Sequence, residues 1–332
     1  MTHLAPTLTL MSFNLDHDGG EPEDDGTPPE AWRAAHEEIA RHRPDVLARQ
    51  ELTHSQSRPG DSPHAVAAAD QRFSATQRVL GMKGFRAPMG LGRNPTGAFV
   101  REETLTATHV PHRLHWRTPP TTLTLTLPEL PHIPITLWSV HLAFNSRHQR
   151  YLEADNASTL VDRLKLHHDR PPTGAAWIVG DMNSYPVPDG ETVPPIDWST
   201  VSDRAHRHHR AAQPDDGTWE SCTHMDRTMH DMGMQDAARW VAHRLGTPSA
   251  LSPTAGRPDQ GGPARIDRAY LDPWTVQAVE HVEVIDMTGI SDHHAVLVTL
   301  SRDKLIETLH RRTTHPAHLT PGEPISRPRH QV

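Results

Sequence analysis

Residues 175–183 read Ala175-Ala176-Trp177-Ile178-Val179-Gly180-Asp181-Met182-Asn183. The run is apolar up to Val179 and then stops on a glycine and an acid, the pattern of a central strand. Upstream, residues 7–14, 46–51, 97–101, 121–127 and 135–141 also have the composition of strands. Helical patterns lie between them. Pro28-Pro29-Glu30 opens a helix to about His42, with Trp32, Ala35 and Ile39 on one face. Residues 65–80 and 147–167 carry two more. Downstream, residues 184–232 are irregular, 235–245 are helical, and 265–271, 276–285 and 295–300 close the set as strands. Frequent strands interrupted by helices argue for sheets covered by helices, not for an all-β sandwich.

The chain has 332 residues, enough to bury a sizeable core. Mean hydropathy is −0.63, and 31 prolines imply a large share of loop. No apolar run approaches the roughly 20 residues that span a bilayer. Met1-Thr2-His3-Leu4-Ala5-Pro6 has neither the charge cluster nor the apolar stretch of a signal peptide. Cys222 is the only cysteine, which excludes an intrachain disulfide and a multi-cysteine zinc site. These features together lead to a cytoplasmic expectation. The net charge of −8 weakens any claim of tight, nonspecific binding to duplex DNA. A catalytic domain is expected over 1–301, with a disordered C-terminal extension over 302–332, where the sequence turns basic and rich in proline and histidine.

Polar residues recur where strands end: Asn14 and Asp16, Glu51, His141, Asp181 and Asn183, with Asp267 inside Arg265-Ile266-Asp267 and Asp292-His293 ahead of the last strand. Any one of these is an ordinary turn residue when taken alone. Together their chemistry is complementary. Asn14, Asp16, Glu51 and Asp292 offer the hard oxygen ligands that Mg²⁺ prefers. His141, His293, Asp181 and Asp267 offer acid, base and orienting groups. Asn183 offers a neutral donor for developing negative charge. The segment Ala205-His206-Arg207-His208-His209-Arg210 invites a metal reading, but its arginines and lack of carboxylates argue for a solvated loop.

The order Ser12-Phe13-Asn14, Gln50-Glu51, Val140-His141-Leu142, Gly180-Asp181-Met182-Asn183, Arg265-Ile266-Asp267, Ser291-Asp292-His293 resembles the endonuclease/exonuclease/phosphatase superfamily. The resemblance runs from about residue 7 to 300. It implies an α+β fold, a four-layer α/β/β/α sandwich of two packed mixed sheets with outer helices. It also implies hydrolysis of a phosphate ester with Mg²⁺ or Mn²⁺. Glu51 is then the principal metal ligand, helped by Asn14 and Asp16, with Asp292 a second metal-side carboxylate. Asp267 orients His293, Asn183 holds a phosphate oxygen, and His141 contacts the phosphate or protonates the leaving oxygen. Asp181 and His293 both stand as candidates for the base. Two departures are visible. His294-Ala295-Val296 lacks the proline of many relatives, and Arg265-Ile266-Asp267-Arg268 lacks the tryptophan and cysteine of the inositol-phosphatase signature.

Three functions compete. The first is a phosphodiesterase or nuclease, the second a phosphomonoesterase, the third a catalytically dead binding protein. Intact Glu51, His141, Asp181, Asn183, Asp267 and His293 argue against the third. The partner is a phosphate ester, and nucleic acid is not favoured by the net charge. A nucleic-acid substrate asks for a basic rim, to which Lys83, Arg86, Arg93, Arg147 and Arg150 are candidate contributors.

Overall fold

The computed structural model describes residues 5–23, 27–111, 116–162, 174–214 and 217–314. In chain order these form β1 (Thr7–Asn14), α1 (Glu30–His42), β2 (Val46–Gln50), α2 (Pro63–Leu80), β3 (Lys83–Arg86), β4 (Gly97–Val100), β5 (Thr106–His109), β6 (Thr121–Leu127), β7 (Leu130–His141), α3 (Arg147–Asp162) and β8 (Ala175–Asp181). They continue as α4 (Arg204–Arg210), β9 (Ala211–Ala212), β10 (Glu220–Ser221), α5 (His224–Asp231), β11 (Gln235–Asp236), α6 (Ala237–Arg244), β12 (Asp267–Leu271), β13 (Val279–Ile285), β14 (Ala295–Ser301) and α7 (Arg302–Thr314).

Two six-stranded sheets result, in the orders β13-β14-β1-β2-β4-β3 and β11-β12-β8-β7-β6-β5. Both are mixed: β1–β2 and β7–β8 pair parallel, their other neighbours antiparallel. Successive strand residues point to opposite faces, and the apolar residues sort accordingly. Leu8 and Leu10 of β1, Ile135 and Leu137 of β7, Trp177 and Val179 of β8, and Ala269 and Leu271 of β12 fill the core between the sheets. The intervening Met11 and Phe13 pack with Trp32 and Ile39 of α1 and Phe73 of α2. Trp138, Val140, Ile178 and Tyr270 pack with Ala154 and Leu160 of α3 and Met225 and Met229 of α5. The four layers expected from sequence are therefore helices, sheet, sheet, helices.

The same alternation positions the polar residues. Counting by twos from the inter-sheet core leads from Leu10 to Asn14, from Leu137 to His141, from Val179 to Asp181, and from Leu271 to Asp267. Four polar side chains thus belong to the core-facing side of their strands, at the end where the apolar filling stops. The parallel pairing sets His141 opposite Asp181 and Val140 opposite Gly180. Gly180 has φ of 147°, and a Cβ there would overlap the Val140 carbonyl oxygen. Only glycine lets the two strands approach in this way.

Some expected boundaries move. β7 begins at Leu130, through Pro131 and Pro134; β8 pairs only from Ile135 onward, so those prolines face no ladder on that side. Residues 275–278 form a 3-10 turn, not strand, and residues 184–232 hold α4 and α5. The extension expected to be disordered from 302 is helical over Arg302–Thr314. Leu305 and Leu309, one turn apart, are buried in the central core, and Arg302 pairs with Glu129 in the β6–β7 turn. The tail beyond Thr314, and the expected end of the third helix at 163–167, lie outside the described residues.

The outer layer on the α5 side is tied down by a buried carboxylate. Asp226 accepts hydrogen bonds from the Tyr270 hydroxyl at 2.6 Å and the Val187 amide at 2.6 Å, and it pairs with Arg239 at 2.8 Å and Arg268 at 3.5 Å. Burial alone would raise its carboxyl, but the two guanidinium groups and these donors hold it down at about 2. A depressed folded value means the stabilisation is complete above the unfolded value near 3.8 and is lost as pH falls through about 2. Asp226→Asn is therefore expected to cost about 3 kcal/mol near neutral pH, because it leaves buried Arg268 without its carboxylate, while Arg239 keeps Glu191 at 2.7 Å. In denaturant titrations the gap from wild type should shrink as pH drops from about 4 toward 2.

Candidate active site

The loop after β1 carries Asp16 and His17 and is pinned from beneath. Buried Asp18 takes Arg49 at 3.2 Å and Ser55 at 2.7 Å, and Arg72 reaches its carboxylate at 3.4 Å and its carbonyl at 2.7 Å. His36, against Arg49, is held well below its usual range by burial and by that cation. No local pattern in the sequence marks this network, because the partners of Asp18 lie well along the chain at Arg49, Ser55 and Arg72.

Glu51 follows β2 with a left-handed backbone, φ 59°. That conformation is uncommon for a residue with a Cβ and costs energy that the surroundings must supply. The backbone amide of His17 donates to Glu51 Oε2 at 2.9 Å. Asp16, His17 and Glu51 bring their ligand atoms within 4.8 Å of one another. Burial, then the charges of Asp292 and Glu51, raise the Asp16 carboxyl. These carboxylates are thus near enough to repel one another. Asp292 also pairs with Arg257 at 2.6 Å.

Asp181 and Asp267 of the opposite sheet centre a second group. His293 Nδ1 is 2.8 Å from Asp267 Oδ2, and its Nε2 is 3.9 Å from Asp181 Oδ2. Asn14 Nδ2 donates to the same Asp181 oxygen at 3.2 Å and approaches Glu51 at 3.5 Å. His141 Nε2 lies 3.5 Å from Asp181 and 3.7 Å from Glu51, linking the two groups. Asn183, also left-handed at φ 47°, donates its backbone N–H to Asp181 Oδ1 at 2.7 Å and its side-chain amide to the Leu142 carbonyl at 2.7 Å. Thr254 Oγ1 accepts the backbone amides of Ile266 and Asp267, fixing the start of β12.

The charge states follow. Burial would lower His293, but Asp267, through charge and hydrogen bond, then Asp181 and Asp292, push it up to about 10. Burial raises the Asp267 carboxyl against the pull of that imidazolium. For Asp181 burial is outweighed by His293, His141 and Arg210, and its carboxyl is lowered.

Every residue named from sequence reaches this region: Asn14, Glu51, His141, Asp181, Asn183, Asp267 and His293 are in mutual contact, while Asp16 and Asp292 border them and are more exposed. Arg265 is not part of it. It is buried in ion pairs with Glu191 at 2.6 Å and Asp236 at 2.8 Å. A cleft of about 370 Å³ opens above Glu51, His141, Asp181, Asn183 and His293. Its far wall is the histidine-rich segment, which is helix α4 and not the solvated loop expected from sequence. His206, His209 and Arg210 line the cleft with Tyr185. Trp198 and Tyr185 pack against this helix from below, with His206 stacked on Trp198 at 5.9 Å. Trp198 and Tyr185 both precede α4 in an irregular stretch rich in proline and aspartate, so no periodic pattern marked its inward face.

Carboxylates, amides and imidazoles gathered at the strand ends of a two-sheet sandwich define a class of phosphate-ester hydrolases. Residues 11–293 match the model of the Endonuclease/Exonuclease/phosphatase family, and the chain belongs to that family. No curated protein is significantly similar to it in sequence. Among solved structures, it is similar to an AP endonuclease from Leishmania major, with 13% identity, TM-score 0.58, and 90% and 88% of the two chains covered. An AP endonuclease from Archaeoglobus fulgidus is similar at 12% identity and TM-score 0.56, covering 88% and 99%. A 3′-5′ exonuclease from Neisseria meningitidis is similar at 14% identity and TM-score 0.51, covering 89% and 100%. Among the described residues no helix is long and apolar enough to cross a membrane.

The pairing of His293 with Asp267 yields a direct expectation. Asp267→Asn should bring the His293 imidazole titration down from about 10 toward the ordinary histidine value of about 6.5. Imidazole NMR resonances in chelator-treated protein report it. An unmoved titration would show that Asp267 does not set the proton on His293.

Proposed function

We propose that this chain is a divalent-metal-dependent phosphodiesterase that hydrolyses its substrate with an activated water. The observation that carries the reading is the contact of Asn14, Glu51, His141, Asp181 and the His293–Asp267 pair on one cleft floor. Asp16, Glu51, Asp292 and Asn14 would hold Mg²⁺ or Mn²⁺. Their fit rests on two features: the carboxylates of Asp292 and Glu51, whose charge adds to burial in raising Asp16 and which a cation would neutralise, and the buried Asn14 Oδ1, which has no hydrogen-bond partner. All are hard oxygen donors, suited to these ions. When bound, the metal supplies Lewis-acid stabilisation of charge on the phosphate.

The chain's own residues do the rest. Asp181, with its carboxyl lowered, is ionised at neutral pH and takes the role of orienting the attacking water and accepting its proton. His293 already holds its proton in the ligand-free protein, so of the two candidate bases Asp181 is the one assigned. The His293 imidazolium meets negative charge building on the phosphoryl oxygens. Asn183 has one side-chain N–H engaged by Leu142; an amide carries two, and the other is assigned to a phosphate oxygen. His141 is assigned the proton for the leaving oxygen.

The rim supports a compact ester over long nucleic acid. Lys83 is paired with Glu102 and Arg86 with Asp70. Arg147 donates to the Ala211 carbonyl, and Arg150 is buried. Of the five candidates for a basic rim, Arg93 alone is exposed without such a partner.

Two measurements test this reading. Hydrolysis of a chromogenic phosphodiester should vanish in excess chelator and return with Mg²⁺ or Mn²⁺, and Glu51→Gln should lower turnover by roughly 10²-fold or more with the fold intact. Activity undiminished by chelator would end the metal reading. Duplex-DNA binding by a Glu51→Gln protein should be weak, with a log–log salt slope well short of about −0.9 times the six to ten contacts of a dedicated DNA binder. A steep slope and tight binding would instead favour a nuclease, and hydrolysis of monoesters alone a phosphomonoesterase.

A further inference from the structure

Helix α4 ends in a guanidinium that the cleft-floor chemistry does not use. Arg210 has 9% of its surface exposed and lines the cleft. Its Nη2 donates to Asn183 Oδ1. Its Nη1 is buried without a hydrogen-bond partner. No carboxylate among the described residues forms an ion pair with it. Taking a charged group out of water costs several kcal/mol unless it is paired and hydrogen-bonded. Of the other buried arginines, Arg268 has Asp226, Arg265 has Glu191 and Asp236, and Arg49 has Asp18, whereas Arg150 is held by backbone carbonyls.

The surroundings hold Arg210 in this position. Arg150 is 1% exposed and donates to the Ala143 carbonyl at 2.7 Å and to the His209 carbonyl at the end of α4. It thereby ties the helix to α3 and to the segment after β7. The Arg210 carbonyl accepts the Cys222 amide at 2.9 Å. Neighbouring His206 is lowered to about 4, first by burial and then by Arg210, and His209 is lowered as well by burial and nearby cations. Both imidazoles are therefore neutral near pH 7, and the positive charge on this wall is the Arg210 guanidinium.

We propose that Arg210 is a substrate-binding residue that takes a non-bridging oxygen of the phosphate. The ligand class is an oxyanion, because a planar guanidinium with two or more free N–H groups matches phosphate geometry. Its bond to Asn183 puts the fork beside the amide already assigned to the phosphate, in the cleft that Glu51 and Asp292 also line. The inference rests on the phosphoesterase reading for its ligand but not for its test.

Inorganic phosphate is the probe, titrated by calorimetry in excess chelator, so the outcome is independent of metal and of turnover. Wild type is expected to bind saturably. Arg210→Gln should bind at least about tenfold more weakly, the scale of one charge-assisted bond, and Arg210→Lys should fall between. Because no carboxylate is bonded to the guanidinium and glutamine can keep a donor near Asn183 Oδ1, the Tm of Arg210→Gln should lie close to that of wild type. Should that variant not fold, Arg210→Lys alone decides, with weaker phosphate binding supporting the proposal and unchanged binding opposing it. Equal affinity in wild type and Arg210→Gln, or no saturable binding by wild type, would overturn the proposal. Loss of metal-dependent hydrolysis in the wild-type screen would instead strike the proposed function.

Discussion

Two strands run side by side in the same direction, and the cleft floor depends on how closely they do so. β7 and β8 pair parallel with Gly180 against Val140, at a backbone angle and a spacing that no side chain at 180 permits. One residue further on, that approach brings His141 within 3.5 Å of Asp181. Asp181 then serves as a hub. Asn14 reaches it from the facing sheet, Asn183 from the turn that follows, and His293 from the loop before β14. Each of these contacts assumes that Asp181 stands where the strand pairing puts it.

Charge is distributed across this floor with little waste. Some buried ions elsewhere in the molecule come in matched groups, as with Asp226 and its two arginines or Arg265 and its two carboxylates. At the cleft the matching is incomplete. Burial and crowding carboxylates together raise Asp16, and Arg210 Nη1 and Asn14 Oδ1 lack hydrogen-bond partners. Glu51 and Asn183 adopt left-handed backbones. These left-handed backbones and unsatisfied atoms are costs that the surrounding structure must offset.

The floor of the site was legible in the sequence because it is built from strand ends, and strand ends announce themselves. A period-two apolar run that stops on Asn14, His141 or Asp181 states both the face and the position of that residue. The family order of the short motifs supplied the rest. What escaped notice has one physical cause in common: its partners are remote in the chain. Arg210 is aligned by Arg150 and Asn183, Asp18 by Arg49 and Arg72, and α7 by a core it shares with residues hundreds of positions earlier. Composition around each of these suggested exposed, mobile sequence. For α4 and for residues 302–314 the suggestion was wrong, because two or three well-spaced contacts outweigh a polar average.

The wall that faces the floor is built on a foundation of its own. Tyr185, Trp198, Val201, Ala211, Ala264 and Ile266 form a small apolar cluster apart from the three that bind the sheets to each other and to their helices. The wall's apolar seat is separate, but its polar end is not: Arg210 donates to Asn183, and Arg150 holds the His209 carbonyl from α3. Groups in contact respond to substitution together. A change at Trp198 or Val201 therefore meets the wall's own packing first, whereas a change at Arg210 is felt at once on the floor.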